Sequence, residues 1–155
     1  MNFSCFISSS ETQTKKIAAE LVEKYAGLLK DKCLIFALEG DLGTGKTVFA
    51  KGVAEALGIK KVIRSPSFII QREFSYQLDD ISGNFVHIDL WRMENELEVE
   101  KLKIGEVVMP GNVILIEWAE KMAAELKRFA KNKQKVSFSV KISYLKNTFR
   151  KIEIS

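Results

Sequence analysis

Two cysteines, Cys5 and Cys33, stand far apart in a chain of 155 residues that also has one histidine, His87, and only two prolines. Such sparse thiols argue against a disulfide framework, and two buried free thiols in a reducing compartment are expected. One His and no Cys pair leave no zinc centre of the usual ligand spacing. No apolar run approaches the roughly 20 residues of a membrane-spanning helix. Met1–Phe6 lacks the basic start and long apolar stretch of a secretory signal, so a cytoplasmic protein without membrane attachment is expected. No repeat, low-complexity tract or Pro/Gly-rich linker interrupts the chain, which predicts one domain over residues 1–155. The net charge of +4 is mildly basic and suits a nucleotide and a nucleic acid alike.

What is present is enough to build a core: 46% hydrophobic residues, with ten Phe and two Trp. Ile17, Leu21, Tyr25 and Leu28 recur at helical spacing behind the serines Ser8–Ser10, one of which can cap the helix. Cys33–Leu38 is the short unbroken apolar run of a buried parallel strand. A glycine-rich turn, Gly40–Gly45, follows, then a helical segment Lys46–Leu57 stopped by Gly58. Phe68–Tyr76 and Phe85–Asp89 are expected as strands, Glu94–Leu102 as a helix with Leu97 as its apolar contact, and Val113–Ile116 as a second buried strand. Ala119–Ala130 is expected as a helix showing Met122, Leu126 and Phe129 on one face. Val136–Tyr144 and Phe149–Ile154 alternate like a β-hairpin. Strands separated by helices predict an α/β fold, a P-loop NTPase-like three-layer sandwich. Its central sheet would be mainly parallel, with the C-terminal antiparallel hairpin added at an edge.

Gly40-Asp41-Leu42-Gly43-Thr44-Gly45-Lys46-Thr47 matches the phosphate-binding pattern G-x-x-x-x-G-K-[ST]. Glycines let the loop turn successive N–H groups inward as an anion nest. The loop feeds a helix N-terminus, whose unpaired donors and dipole favour phosphate. Lys46 supplies a point charge for the β- and γ-phosphates and the Thr47 hydroxyl can reach magnesium. The apolar strand before and the helical segment after are the context this motif requires, which weighs against a chance glycine turn.

Glu117, closing the apolar run Val113–Ile116, stands where P-loop proteins place a second metal-binding acid; an ordinary exposed strand-end Glu is the plainer alternative. Asp89 closes the other central strand, where ligands gather in open α/β sheets. It can orient a water there, or serve as a local cap beside Arg92. His87 shares the face of Asp89, and a lone His is more often a hydrogen-bonded structural residue. Guanine specificity is not expected, because Asn132-Lys133-Gln134-Lys135 ends in Lys where N-K-x-D needs a carboxylate, and Asp89 opens no D-x-x-G. Five arginines without an arginine-rich segment argue against the lid of a small-molecule kinase. The basic cluster Lys127, Arg128, Lys131, Lys133, Lys135 reads first as a solvated helix end and second as an RNA contact.

Four motifs in order make the chain similar to the TsaE (YjeE) family of small bacterial ATPases. They are the loop Gly40–Thr47, Ser65-Pro66-Ser67-Phe68, His87-Ile88-Asp89-Leu90-Trp91-Arg92 and Ile116-Glu117-Trp118. The resemblance implies ATP and magnesium as ligands. It also implies a partnership with the TsaB–TsaD pair in making N6-threonylcarbamoyladenosine in ANN-reading tRNAs, with tRNA contacted indirectly or weakly. It implies catalytic roles for Lys46, Asp89 and Glu117, and magnesium ligation by Thr47 and Glu117. Nucleotide contacts would come from Gly40, Asp41, Leu42, Gly43, Thr44, Gly45, Lys46, Thr47 and Val48. Ser65 and Ser67 would form a loop that senses the γ-phosphate, Trp118 would lie near the nucleotide or a partner surface, Thr14, with Thr12 as its competitor, near the base, and Arg150 over the nucleotide. Three positions depart from the family pattern: Ser67 stands for Thr and keeps the hydroxyl, Trp91 stands for Tyr and loses the phenol, and Thr44 stands for Ala or Ser. A small-molecule kinase and a nucleotide-regulated binding module remain the other function classes.

Overall fold

The structure, a computed structural model, describes residues 3–129, 133–146 and 148–155. Its centre is a seven-stranded sheet in the order β1-β7-β6-β2-β5-β4-β3. The strands are β1 (Ser4–Ser8), β2 (Cys33–Glu39), β3 (Gln71–Leu78), β4 (Ile81–Asp89), β5 (Val113–Glu117), β6 (Lys135–Tyr144) and β7 (Arg150–Ile154). β6, β2, β5 and β4 run parallel; β3 pairs antiparallel with β4, β7 with β6, and β1 with β7.

Alternating residues of the central strands feed two cores, one on each face of the sheet. On one face Leu34, Phe36, Leu38, Phe85, Val113 and Leu115 pack under helices α1 (Glu11–Tyr25) and α2 (Lys46–Ala56), through Ile17, Ala18, Val22, Phe49 and Val53. On the other, Cys33, Ile35, Val86, Ile88, Ile114 and Ile116 meet Val99 of α3 (Glu96–Lys101), Ile104, Val108 and Met122. A short helix α4 (Ala123–Phe129) completes the helices. This is the expected three-layer α/β architecture. Among the described residues no helix is long and apolar enough to cross a membrane.

Several local expectations change. The C-terminal hairpin is not an edge addition: β6 joins the parallel core beside β2, and the outermost strand on that side is β1, which pairs with β7. Helix α1 ends at Tyr25 and a 3₁₀ turn over Ala26–Lys30 buries Leu29, while Leu28 faces outward. Ser10 does cap α1, accepting from Gln13 N at 3.1 Å. Phe68–Ile70 form a turn rather than strand, with the amides of Ile69 and Ile70 both donating to the carbonyl of Pro66. Val99, not Leu97, is the buried contact of α3; Leu97 is 69% exposed. A 3₁₀ turn, Ala119–Met122, precedes α4, so the expected continuous helix starts four residues later. The side chain of Phe129, and Ala130, Lys131 and Asn132, lie outside the described residues. Both thiols are free, yet only Cys33 is buried; burial pushes its thiol up to about 12.

Candidate functional site

The carboxyl ends of β2, β4 and β5 converge at one end of the sheet, since Leu38 and Asp89 both sit level with Glu117. A cleft of about 460 Å³ opens there, lined by the glycine loop, the first turn of α2, Ser65, Ser67, Asp89, Glu117 and an aromatic rim of Phe68, Trp91 and Trp118. Loop geometry follows from its glycines. Gly40, Gly43 and Gly45 have φ of 142°, 77° and 110°, a region that L side chains enter at a cost. A Cβ on Gly40 would also lie 2.1 Å from the carbonyl oxygen of Ile142. Gly45 then caps α2, whose first residue is Lys46, so free amides point into the cleft.

Lys46 is 4% exposed. Its Nζ donates to the carbonyls of Gly40 (2.6 Å) and Asp41 (2.9 Å) and stands 3.9 Å from the centroid of the Trp118 ring. Burial lowers its amine below the ordinary 10.5, against the opposing pull of Glu117, Glu120, Asp89 and Asp41. Trp118 can reach over the lysine because it adopts φ 61°, turning the chain sharply out of β5. Its ring also packs on Trp91, with centroids 4.6 Å apart.

Beside the lysine, Thr47 Oγ1 donates to Glu117, 2.9 Å from Oε1 and 3.2 Å from Oε2. Glu117 is 3% exposed, and His87 Nε2 lies 2.8 Å from its Oε1. The exposed strand-end reading of Glu117 therefore does not hold. Asp89, also buried, accepts from Ser67 Oγ at 2.6 Å and from Ser65 Oγ on Oδ2. Its Oδ1 accepts from the backbone N–H of Trp91 at 2.9 Å. These contacts tie Ser65 and Ser67 to the end of β4, immediately before the Phe68–Ile70 turn.

A hydroxyl and a carboxylate in contact are hard oxygen donors of the kind magnesium takes, together with phosphate and water. Among the described residues no group of three or more His, Cys, Asp and Glu side chains forms a separate metal cage.

The other expected residues divide. Leu42, Gly43, Gly45 and Val48 line the cleft, with Leu42 72% exposed at its lip. Thr44 is buried and supports the loop by donating to the carbonyl of Asp41 at 2.9 Å. Arg150 reaches the loop from β7, its Nε donating to the Thr44 carbonyl at 2.7 Å; it braces the loop and is not among the cleft-lining residues. Thr14 is not brought to the cleft. It is buried under β1, its hydroxyl 2.7 Å from that of Ser8, while Thr12 is exposed. The basic cluster is partly engaged elsewhere: Arg128 bridges Glu100 and Glu125, and burial lowers the Lys135 amine.

Tyr144, Phe68 and Arg92 were given no site role from the sequence, though Phe68 and Arg92 stand in its motifs; the last two line the cleft and Tyr144 supports its loop. Tyr144 donates to the Gly43 carbonyl at 2.6 Å. Phe68 and Arg92 stack at the rim, the guanidinium 4.4 Å from the ring centroid. Arg92 and Trp91 also border an open depression with Met93, Glu94, Asn95 and Lys121. No local signal marks Tyr144, which meets its partner 101 residues away.

Comparison with known proteins places the chain in a family and supports its fold. The profile of the family described as threonylcarbamoyl adenosine biosynthesis protein TsaE matches residues 8–152. The tRNA threonylcarbamoyladenosine biosynthesis protein TsaE of Bacillus subtilis is 36% identical over 114 residues, covering 68% of each chain. The protein of that name from Aquifex aeolicus is 35% identical over 137 residues, covering 84% of this chain and 91% of its own. A crystal structure of Bacillus subtilis YdiB superposes with a TM-score of 0.64 at 26% identity, over 99% of this chain and 84% of that one. With the profile spanning nearly its whole length, the chain belongs to the TsaE family of threonylcarbamoyladenosine biosynthesis proteins.

Proposed function

We propose that the chain is a magnesium-dependent ATPase that works with the TsaB–TsaD pair to form N6-threonylcarbamoyladenosine in tRNA. The contact that carries this reading is Thr47 against Glu117, beside Lys46 at the start of α2. A hydroxyl, a desolvated carboxylate and an ammonium group gathered at one helix N-terminus suit a triphosphate and its divalent ion. Family membership ties the activity to tRNA modification, and the reading puts it in the cytoplasm with its substrates.

Inward-facing loop amides between Gly40 and Gly45 receive the phosphates, and Lys46 exchanges the Gly40 and Asp41 carbonyls for phosphate oxygens. Thr47 and Glu117 would hold magnesium, which when bound neutralises charge on the phosphate oxygens. Ser65 and Ser67 occupy Asp89 Oδ2; a terminal phosphate competes for those hydroxyls and leaves the carboxylate to orient a water.

The test is phosphate release and tRNA modification, each measured with and without TsaB–TsaD. Turnover that rises with the partners, and modification that depends on this chain, are the expected results. Calorimetry showing no uptake of ATP in magnesium buffer would overturn the reading. Asp89→Asn should bind ATP normally and lose about 100-fold in turnover. The open depression beside Arg92 and Lys121 has room for a small acceptor, which favours a kinase as the second reading. Acceptor-dependent ADP formation without phosphate release would establish that instead.

A further inference from the structure

We propose that His87 is a positioning residue that aims the Glu117 carboxylate at the metal, a role that rests on the magnesium–ATP reading above. His87 has no solvent exposure and lies on β4, two residues before Asp89 and on the same face of the sheet as Glu117. Its Nε2 is 2.8 Å from Glu117 Oε1, the oxygen that also accepts from Thr47 at 2.9 Å. Phe85 stacks along the imidazole, with ring planes 25° apart, and fixes its orientation.

A carboxylate only accepts, so Nε2 carries the proton and donates. The other ring nitrogen, Nδ1, is buried without a hydrogen-bond partner among the described residues. The Nε2 bond holds Oε1 from the β4 side, while Thr47 reaches the same oxygen from α2. A residue present only to pack would be better apolar, because it would carry no orphaned nitrogen. The uncompensated Nδ1 is therefore tolerated for what Nε2 does.

The experiment is a magnesium titration of nucleotide binding, followed by calorimetry, with wild type, H87Q, H87N and H87L. Glutamine ends near the position of Nε2 and can donate to Glu117; asparagine ends near Nδ1 and does not reach. H87N and H87L are expected to need about tenfold more magnesium for half-maximal effect, with H87Q within about threefold of wild type, as for partners that orient a metal-binding carboxylate. Nucleotide affinity in EDTA should be equal in all four. Identical magnesium curves for H87Q and H87N, or losses that appear equally in EDTA, would overturn the positioning role. If H87L does not fold, the glutamine and asparagine pair still decides. A wild-type chain whose nucleotide binding ignores magnesium would overturn the metal reading, and this inference with it. A wild-type response shared by every variant would overturn this inference alone.

Discussion

One wall of the cleft presents backbone and the other presents side chains. Between Gly40 and Gly45 the groups that face a ligand are amides, set by three glycines with positive φ and by a carbonyl that leaves no room for a Cβ. Opposite them, Thr47, Glu117, Asp89, Ser65 and Ser67 meet through hydrogen bonds between residues 22 to 70 positions apart. The first wall takes its ligand-facing groups from one contiguous loop, braced from behind by Ile142, Tyr144 and Arg150. The second exists only when β2, β4 and β5 lie side by side in the correct register, so that Asp89 and Glu117 end level with each other. A backbone wall tolerates side-chain change wherever φ permits and fails abruptly where it does not. A side-chain wall should respond in graded steps, each readable in ligand affinity or rate.

That contrast can be broken by substitution, and the largest effect is expected on the backbone wall. Gly40→Ala combines φ 142° with a Cβ 2.1 Å from a carbonyl oxygen, and should lower stability by about 3 kcal/mol or more in urea unfolding. Gly58→Ala, at φ 72° with open space around it, should lose only about 1–2 kcal/mol. Equal losses at the two sites would show that the carbonyl contact does not matter. Next, Lys46→Ala should reduce kcat/KM for ATP hydrolysis about 100-fold or more, the scale for losing one donor aimed at developing charge.

A gentler probe uses the proton on Lys46. Its amine titrates below 10.5 in the free protein, and a phosphate favours the charged form. ATP affinity should therefore begin to fall at a lower pH than an ordinary lysine would give, and alkaline binding should take up a proton. Calorimetry in buffers of different ionisation enthalpy measures that uptake, and a buffer-independent heat would count against it. The smallest effect is expected for Tyr144→Phe, which removes one exposed hydrogen bond to the Gly43 carbonyl. About 0.5–1 kcal/mol of ATP affinity should be lost, with no change in the magnesium dependence.

The same division decides what could be read from the sequence. The glycine loop and its flanking strand and helix were legible because β2 is an unbroken apolar run and the motif is contiguous. Strand β5 was legible for the same reason, and the acid at its end does reach the cleft. Strand β1 was not, since Ser4–Ser8 is five residues long, half exposed, and pairs only with the far end of the chain. Helical spacing misjudged Leu28 because a 3₁₀ turn rotates the face before that residue is reached. Phe68–Ile70 have the composition of a strand, but hydroxyls on Ser65 and Ser67 anchor the preceding segment to Asp89. Thr14 was placed by resemblance alone, and only the packing of β1 on α1 shows its hydroxyl turned to Ser8. Whether His87 was structural or positioning depended on the distance to Glu117, which no spacing along one strand encodes.

Strand β7 lies between β1 and β6, and the loop near residue 44 is braced by Arg150. On the ribosome, the first strand to emerge must wait for the last one before it can join the sheet. A nascent chain that already displays the complete glycine motif still lacks the brace behind it. The glycine loop should therefore gain its Arg150 brace only after β7 has emerged and paired.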